Sequence, residues 1–188
     1  AGFFAEVIIA PAYDDDAVEV IRTLKSWGER VRLLETGPIN RDVRDVDEFD
    51  VRCIVGGMLL QQRDLVGWEK DLLTFPTKRK PSLEQLEDLR IAWLCAKHVK
   101  SNAIAVVNGR KLVGVGAGQM NRVESGLIAF KHAGEQTKGA AMGSDAFFPF
   151  PDNVENAAEA GIACIVQPGG SKKDDEVIAA ADKLGIAM

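Results

Sequence analysis

The sequence predicts an α/β fold with a mixed sheet, and three observations indicate it. Apolar runs of strand length alternate with segments of helical apolar spacing along most of the 188 residues. The chain opens with a strand, a helix and a returning strand, which together form a β-α-β unit. An Asn-Gly pair between two apolar runs then predicts an antiparallel hairpin over residues 103–116.

The first predicted domain, residues 1–75, contains the β-α-β unit and one further strand. The unit has strands over residues 5–10 and 31–35 around a helix that ends at Gly28. A charged surface stretch is expected to follow it. Residues 51–60 then form an apolar run that we predict to be a single strand, with a bulge at its glycine pair.

The second predicted domain, residues 76–188, begins with a polar segment whose basic residues 78–80 are predicted to be a solvated linker. Ser82 and Gln85 form a capping box ahead of a helix that extends to residue 96 or 97. After the hairpin, the pattern predicts further elements in this order: a helix over 120–132, a strand from 140, a helix over 154–160, a strand over 162–166, a helix over 174–184 and a strand that begins at 185.

Composition argues against several classes of protein. The net charge of −5 opposes a general grip on nucleic acid, and no apolar run has the length of a membrane span. The first residues lack the pattern of a secretory signal. The three cysteines, Cys53, Cys95 and Cys164, stand apart in apolar surroundings, as buried thiols of cytoplasmic proteins do. We therefore expect a cytoplasmic protein without membrane or nucleic-acid partners.

The only two histidines, His98 and His132, lack the neighbours of a metal site. The zinc deaminase signature, a nucleophile elbow and a phosphate-binding P-loop are also absent. The sequence therefore predicts neither metal-assisted hydrolysis nor serine nucleophile chemistry.

Two polar segments are candidate binding sites. Residues 97–102 combine two lysines, a histidine and Asn102, which suit an anionic or carboxamide-bearing ligand. An ordinary polar helix end explains this segment as well and is preferred on these residues alone. In residues 114–122 the glycines would let a ligand approach the backbone, and Arg122 would hold a phosphate or carboxylate. The glycine spacing is not that of a dinucleotide-binding loop.

The most unusual segment is residues 144–153, with three phenylalanines, two prolines and two aspartates. It is interpreted equally well as the wall of a binding site or as a hydrophobic plug. Asp152 and Asn153 are predicted to cap the helix that follows. The later loop Gly169-Gly170-Ser171 is either a second place of close ligand approach or a simple turn.

Three stretches closely resemble the transformylase region of the AICAR transformylase/IMP cyclohydrolase family, namely residues 100–102, 114–122 and 144–153. The resemblance is strong over residues 80–188 and weaker upstream. It implies a cytidine-deaminase-like three-layer α/β/α fold without zinc. It also implies formyl transfer from 10-formyltetrahydrofolate to AICAR in purine biosynthesis, a homodimer, and a parent protein that carries IMP cyclohydrolase.

The resemblance also implies roles for individual residues. AICAR-binding positions are Asn102, Arg122 and Phe147, and folate-binding positions are Phe147, Pro149, Phe150, Asp152, Asn153 and Gly169. Positions near a potassium ion are Ser101 and Asp145. Gly169 stands where the family often has serine.

The resemblance places the family's catalytic Lys-His pair upstream of this chain, so no catalytic residue is assigned. Lys97-His98 is the counterpart of that pair in the duplicated fold and is not assigned a catalytic role. A substrate-binding arginine of the family is expected after residue 188. The alternative to a part of a formyltransferase is a non-catalytic module that binds a purine intermediate or forms a dimer, which the missing pair favours for the isolated chain.

Overall fold

The computed structural model describes residues 4–24, 26–38 and 49–188. The predicted charged stretch after the β-α-β unit, over residues 39–48, lies outside the described residues. The chain divides into two compact units, Ala1–Leu65 and Val66–Met188. Their boundary precedes the predicted one after residue 75. Helices, parallel strand pairs and antiparallel strand pairs all occur, which confirms the α/β class.

The first unit begins with the predicted β-α-β arrangement. Strand β1 (Val7–Ala10) is followed by helix α1 (Asp15–Leu24) and strand β2 (Arg32–Glu35). The two strands pair in parallel, from Val7 beside Arg32 to Ala10 beside Glu35. This pairing confirms the β-α-β unit.

The prediction of one strand over residues 51–60 is wrong. Two antiparallel strands occupy this part of the chain, β3 (Phe49–Ile54) and β4 (Gly57–Gln62). The chain reverses at Val55-Gly56, where Gly56 has φ +83°. Glycine adopts this backbone conformation without a steric penalty, so Gly56 makes the turn, and Gly57 begins β4 instead of forming a bulge with it.

The second unit contains four α-helices packed around a four-stranded mixed sheet. Its elements are α2 (Leu83–His98), β5 (Ile104–Asn108), β6 (Lys111–Gly116), α3 (Arg122–Ala133), β7 (Ala141–Ser144), α4 (Asp152–Ala160), β8 (Cys164–Val166) and α5 (Asp174–Leu184). The strand order is β6-β5-β7-β8, with only the β7–β8 pair parallel. Ala187 adds a parallel bridge beside Cys164, where the sequence predicts a beginning strand.

Local sequence signals explain the start of α2 and the turn between β5 and β6. Both hydrogen bonds of the capping box between Ser82 and Gln85 are present at the start of α2. The hairpin of β5 and β6 turns at Gly109-Arg110, both with positive φ. The Asp88 carboxylate accepts hydrogen bonds from the backbone N–H groups of these two residues at 2.9 and 2.6 Å.

The sheet is covered by helices on both faces. On one face, Ile104, Val106, Met142 and Ile165 pack with residues of α3, α4 and α5. On the other face, Ala141 and Cys164 pack with Leu89 of α2 and with Trp68. Successive strand residues point to opposite faces, so the unit has three layers. The cytidine-deaminase-like identity of this arrangement stays a prediction.

Residues 78–80 do not form the solvated linker that the sequence predicts. Their side chains are exposed, but Lys78 N donates to Asp182 Oδ1 at 2.6 Å and Arg79 Nη1 donates to Gly185 O at 2.6 Å. The buried Thr77 hydroxyl accepts from Met188 N at 2.8 Å. These bonds attach the segment to the end of α5 and to the last residues of the chain.

The cysteines only partly match the prediction of buried thiols. Cys164 is buried, Cys95 is half-buried and Cys53, on the apolar hairpin of the first unit, is exposed. Burial raises the pKa of Cys164 to about 12, with the Asp88 carboxylate adding to the rise and Arg79 opposing it. Within the described ranges, no helix has the length and apolarity needed to cross a bilayer.

Candidate functional site

Three loops of the second unit meet beside the end of β7. The loop after α2 and the loop after β6 are joined by backbone hydrogen bonds, Gly118 N to Lys100 O at 2.7 Å and Asn102 N to Gln119 O at 3.2 Å. Asp145, directly after β7, donates its N–H to Ala103 O at 3.3 Å. The three segments singled out in the sequence therefore form one surface.

The Asp145 carboxylate is the centre of this surface. It accepts hydrogen bonds from the Ser101 hydroxyl, from Ala103 N at 3.0 Å and from Arg122 Nη2 at 3.1 Å. Burial by itself would raise the pKa of Asp145. The three hydrogen bonds and the charge of Arg122 outweigh burial and hold that pKa below its usual value.

Arg122 is held between Asp145 and the aromatic segment. It is the first residue of α3, after Asn121, whose Oδ1 caps the helix by accepting from Val123 N at 2.8 Å. The Arg122 side chain is 12% exposed, and its Nη1 donates to Phe147 O at 3.4 Å. Its Nε is buried, and within the described residues no acceptor reaches it. The guanidinium thus fixes the backbone of the segment that carries Phe147.

Asn102 lies on the same surface, half-buried. Its Nδ2 donates to Gln119 O at 2.9 Å, and its backbone carbonyl accepts from the Ser125 hydroxyl at 2.6 Å. The Ser101–Asn102 peptide bond is cis. The structure therefore brings together Ser101, Asn102, Arg122 and Asp145 with the backbone of Phe147.

The aromatic segment, residues 144–153, has one buried ring and two partly exposed rings. Phe148 is fully buried in the core, whereas Phe147 and Phe150 are 40% and 55% exposed. Phe148 N donates to Gln167 Oε1 at 2.7 Å, which ties the segment to the end of β8. The buried ring anchors a loop that presents its two neighbouring rings to solvent.

Asp152 and Asn153 do not cap α4 as the sequence predicts. Pro151 holds the cap position without a side-chain bond, and Asp152 is the first helical residue. Asp152 Oδ1 accepts from Asn153 N at 2.8 Å and from Asn153 Nδ2 at 3.2 Å. A carboxylate in the first turn is still favoured there by the positive end of the helix dipole.

The glycines of residues 114–122 serve packing more than ligand approach. A Cβ at Gly114 would lie 2.1 Å from Ala129 O, and one at Gly116 would lie 1.9 Å from Ser125 O. Both contacts are with the backbone of α3, so these two glycines let the helix lie close to β6. Gly118 is different, because it has φ +65° and lies beside the Lys100 side chain.

Gly169 and the Lys97-His98 pair are not part of the cluster around Asp145. Gly169 lines a cavity that none of the other predicted site residues line. Lys97 Nζ donates to Val66 O at 2.6 Å and lies 5.9 Å from the centre of the Trp93 ring, and His98 is exposed. Catalytic residues therefore remain unassigned.

The sequence resemblance predicts a metal ion at one place only, near Ser101 and Asp145. Among the residues that the structure describes, no group of three or more histidines, cysteines and acidic residues is arranged to hold a metal ion. Ser101 and Asp145 are in contact, and the potassium site near them stays a prediction.

The anchoring role of Gln167 was missed by sequence reasoning. Its Oε1 accepts from Phe148 N, and its Nε2 lies 3.7 Å from Met188 Sδ. A single glutamine after a short strand gives no local signal of such a role.

Comparison with known proteins identifies the family. The family model described as AICARFT/IMPCHase bienzyme matches residues 1–132. The chain belongs to this family. It is 46% identical over 185 residues to "Bifunctional purine biosynthesis protein PurH" of Bacillus mycoides (strain KBAB4), which covers 98% of this chain and 35% of the relative. The corresponding protein of Halalkalibacterium halodurans is 49% identical with the same coverage.

Membership of the AICARFT/IMPCHase family confirms the resemblance that the three sequence segments carry. The chain spans about a third of the length of the curated relatives that it matches. Among solved structures, "Acinetobacter baumannii RibD, form 1" matches with 18% identity and a TM-score of 0.39, covering 55% of this chain and 34% of that one. A likeness at this level carries no argument about the fold.

Proposed function

We propose that this chain is part of a formyltransferase of purine biosynthesis that transfers a formyl group from 10-formyltetrahydrofolate to AICAR. The parent protein would also carry IMP cyclohydrolase. The observation that carries the proposal is the convergence on Asp145, whose carboxylate joins Ser101, Arg122 and the backbone beside Asn102. Family membership at 46% identity supports it.

AICAR is proposed to bind between Asn102, Arg122 and Phe147. The half-exposed Phe147 ring offers a flat surface for the imidazole ring of AICAR, and the Asn102 side chain offers polar atoms for its carboxamide. Arg122 has a more indirect part, since its guanidinium already bonds Asp145 and Phe147 O. It would set the position of the Phe147 ring and add positive potential.

The folate is proposed to bind along Pro149, Phe150, Asp152 and Asn153, beside Phe147. Phe150 has the most exposed ring of the segment, which suits stacking on a flat heterocycle. Asp152 Oδ1 is engaged by Asn153, and we assign Oδ2 to an N–H group of the pterin. Gly169 would contribute from the neighbouring loop.

The AICAR amine is a weak nucleophile, so the reaction depends on positioning and on removal of a proton. The amine nitrogen forms a bond to the formyl carbon, and the bond from that carbon to the folate nitrogen breaks. One amine proton is removed, and the departing folate nitrogen gains one proton. This chain supplies positioning through a wall anchored by the buried Phe148. We assign proton transfer to the remainder of the parent protein, and we propose that the complete enzyme is a homodimer.

A chimeric protein tests this function. The PurH protein of Bacillus subtilis is 47% identical to this chain over 185 residues, so this chain can replace the matching segment. We expect the chimera to transfer formyl to AICAR. Phe147→Ala should lower kcat/KM by about 10- to 100-fold through loss of ring stacking.

The matched control is Leu127→Ala, which removes an apolar side chain of similar exposure from α3. It should leave kcat/KM within about twofold, as expected for a surface position away from the site. A folded chimera without formyl transfer would contradict the proposal. If that chimera still bound AICAR, the alternative of a non-catalytic binding module would be favoured.

A further inference from the structure

A cavity of about 350 Å³ lies within the second unit, between residues 66–76, α2 and the loop that joins β8 to α5. Its volume falls in the range of small-molecule sites. Trp68, Phe75 and Trp93 contribute an aromatic lining. The rings of Trp68 and Trp93 meet edge to face, with centroids 5.9 Å apart and an angle of 64° between their planes.

The charge of the lining has one sign. Glu69 and Asp174 are acidic, and no lysine, arginine or histidine is among the described residues that line the cavity. An aromatic surface combined with carboxylates favours an organic cation, because the ring faces and the acidic groups both attract positive charge. Lys97, whose Nζ lies 5.9 Å from the centre of the Trp93 ring, is not part of this lining.

Asp174 also has an unused hydrogen-bonding position. Its Oδ2 accepts from Gly170 N at 2.7 Å and so stabilises the loop before α5. Its Oδ1 is buried, and no donor in the described part of the chain reaches it. A buried carboxylate oxygen without a donor costs free energy, and a ligand that donates to it would remove that cost.

We propose that this cavity is a second binding site, which takes a small flat aromatic cation. The positive group of the ligand would donate to Asp174 Oδ1, and its ring would lie against Trp68 and Trp93. The site goes beyond the proposed formyl transfer. Of the residues assigned to AICAR or folate, only Gly169 lines it.

Titration calorimetry with benzamidinium as the probe tests the site, and tryptophan fluorescence reports on the aromatic wall. We expect saturable binding of benzamidinium and no saturable binding of benzoate, which has the same ring with the opposite charge. Asp174→Asn should weaken benzamidinium binding by at least about 10-fold, as loss of a charge-assisted bond predicts. The substituted amide keeps an oxygen that can accept from Gly170 N.

Asp175→Asn is the matched control, since it makes the same charge change at the next residue, which is exposed and does not line the cavity. It should bind benzamidinium as the unchanged protein does. Equal weakening by the two substitutions, equal binding of benzoate, or no saturable binding of benzamidinium would each overturn the proposal.

A second variant keeps the test independent of the fold around Asp174. Leu72 lines the cavity and is 70% exposed, so a larger side chain there can fill the opening with little strain on the core. Leu72→Trp should abolish benzamidinium binding in the calorimeter while the circular dichroism spectrum is unchanged. Retained binding in this variant would show that the probe binds elsewhere.

Discussion

At the scale of single residues, Asp145 is the group on which the candidate site depends most. Its side chain and that of Arg122 are each 12% exposed, and it accepts three hydrogen bonds. Asp145→Asn removes the charge that faces Arg122 and leaves that guanidinium without its acidic partner. We expect a loss of roughly 2–4 kcal/mol in the free energy of unfolding, measured by urea denaturation.

The control for this substitution is Glu87→Gln, which removes the acidic partner of Arg90 in a pair whose side chains are 38% exposed. It should change the free energy of unfolding by no more than about 0.5 kcal/mol, because an exposed ion pair contributes little. A similar effect of both substitutions would mean that Asp145 is only another surface charge.

The same carboxylate predicts a particular pH dependence. Because its pKa is lowered in the folded protein, it binds protons less readily there than in the unfolded chain. Its contribution to stability is therefore complete above its ordinary pKa of 3.8 and is lost as the pH falls through the lower folded value. The stability difference between the unchanged protein and Asp145→Asn should be constant near neutral pH and shrink below about pH 4. A difference that grew on acidification would contradict this account.

At the scale of elements, close packing of α3 on β6 depends on the absence of a side chain. A Cβ at Gly116 would lie 1.9 Å from Ser125 O, a backbone atom of the helix that cannot move by itself. Gly116→Ala should therefore destabilise the protein by about 3 kcal/mol, the upper end of the usual range for overpacking. The measurement is the urea midpoint together with the slope of the transition.

The comparison is Gly67→Ala, the same change in the same unit at a position with no neighbouring atom within 4 Å of the added Cβ. It should shift the free energy of unfolding by less than about 0.5 kcal/mol. If Gly116→Ala were equally mild, α3 would have room to move away from β6.

An element could be predicted from the sequence when the residues that determine it are neighbours in the chain. The capping box of α2 and the hairpin over 103–116 arise from neighbouring residues, and both are confirmed. The turn at Val55-Gly56 was missed because valine is not a typical turn residue and the flanking apolar run resembles one continuous strand. The packing role of Gly116 depends on a helix that follows it in the chain, so its sequence context gives no indication of it.

For the candidate site, the residues could be predicted from the sequence, but their contacts with one another could not. The residues that resemble the family motifs were found in the sequence, and the structure brings Asn102, Arg122 and Asp145 together. Their connections were not predictable, because the bond from Arg122 to Phe147 O and the bond from Gln167 to Phe148 N join segments distant in the chain. Such contacts exist only once the sheet has placed the ends of its strands side by side.

At the scale of the whole molecule, the second unit holds the sheet, its core and the candidate site. Residues 66–75 are part of this unit, although the polar segment after them suggested that it begins later. Trp68 packs on the cluster that contains Leu89 and Cys164, and its ring meets that of Trp93. The carbonyl of Val66 accepts from Lys97 Nζ. Residues 66–75 therefore pack on the face of the sheet that α2 covers, and they form one side of the cavity.

This arrangement predicts different behaviour for two fragments. Residues 66–188 contain both clusters of buried side chains, so they should fold by themselves with one cooperative urea transition. Residues 76–188 lack Trp68 and expose the apolar surface around Leu89. This shorter fragment should be less stable than the longer one by about 1–3 kcal/mol, because it loses the half-buried Trp68 side chain. Trp68→Ala in the longer fragment should reproduce most of the difference, since Trp68 is the residue of the segment that packs on the cluster around Leu89. Equal stability of the two fragments would place the start of the folded unit after residue 75, where the composition of the chain changes.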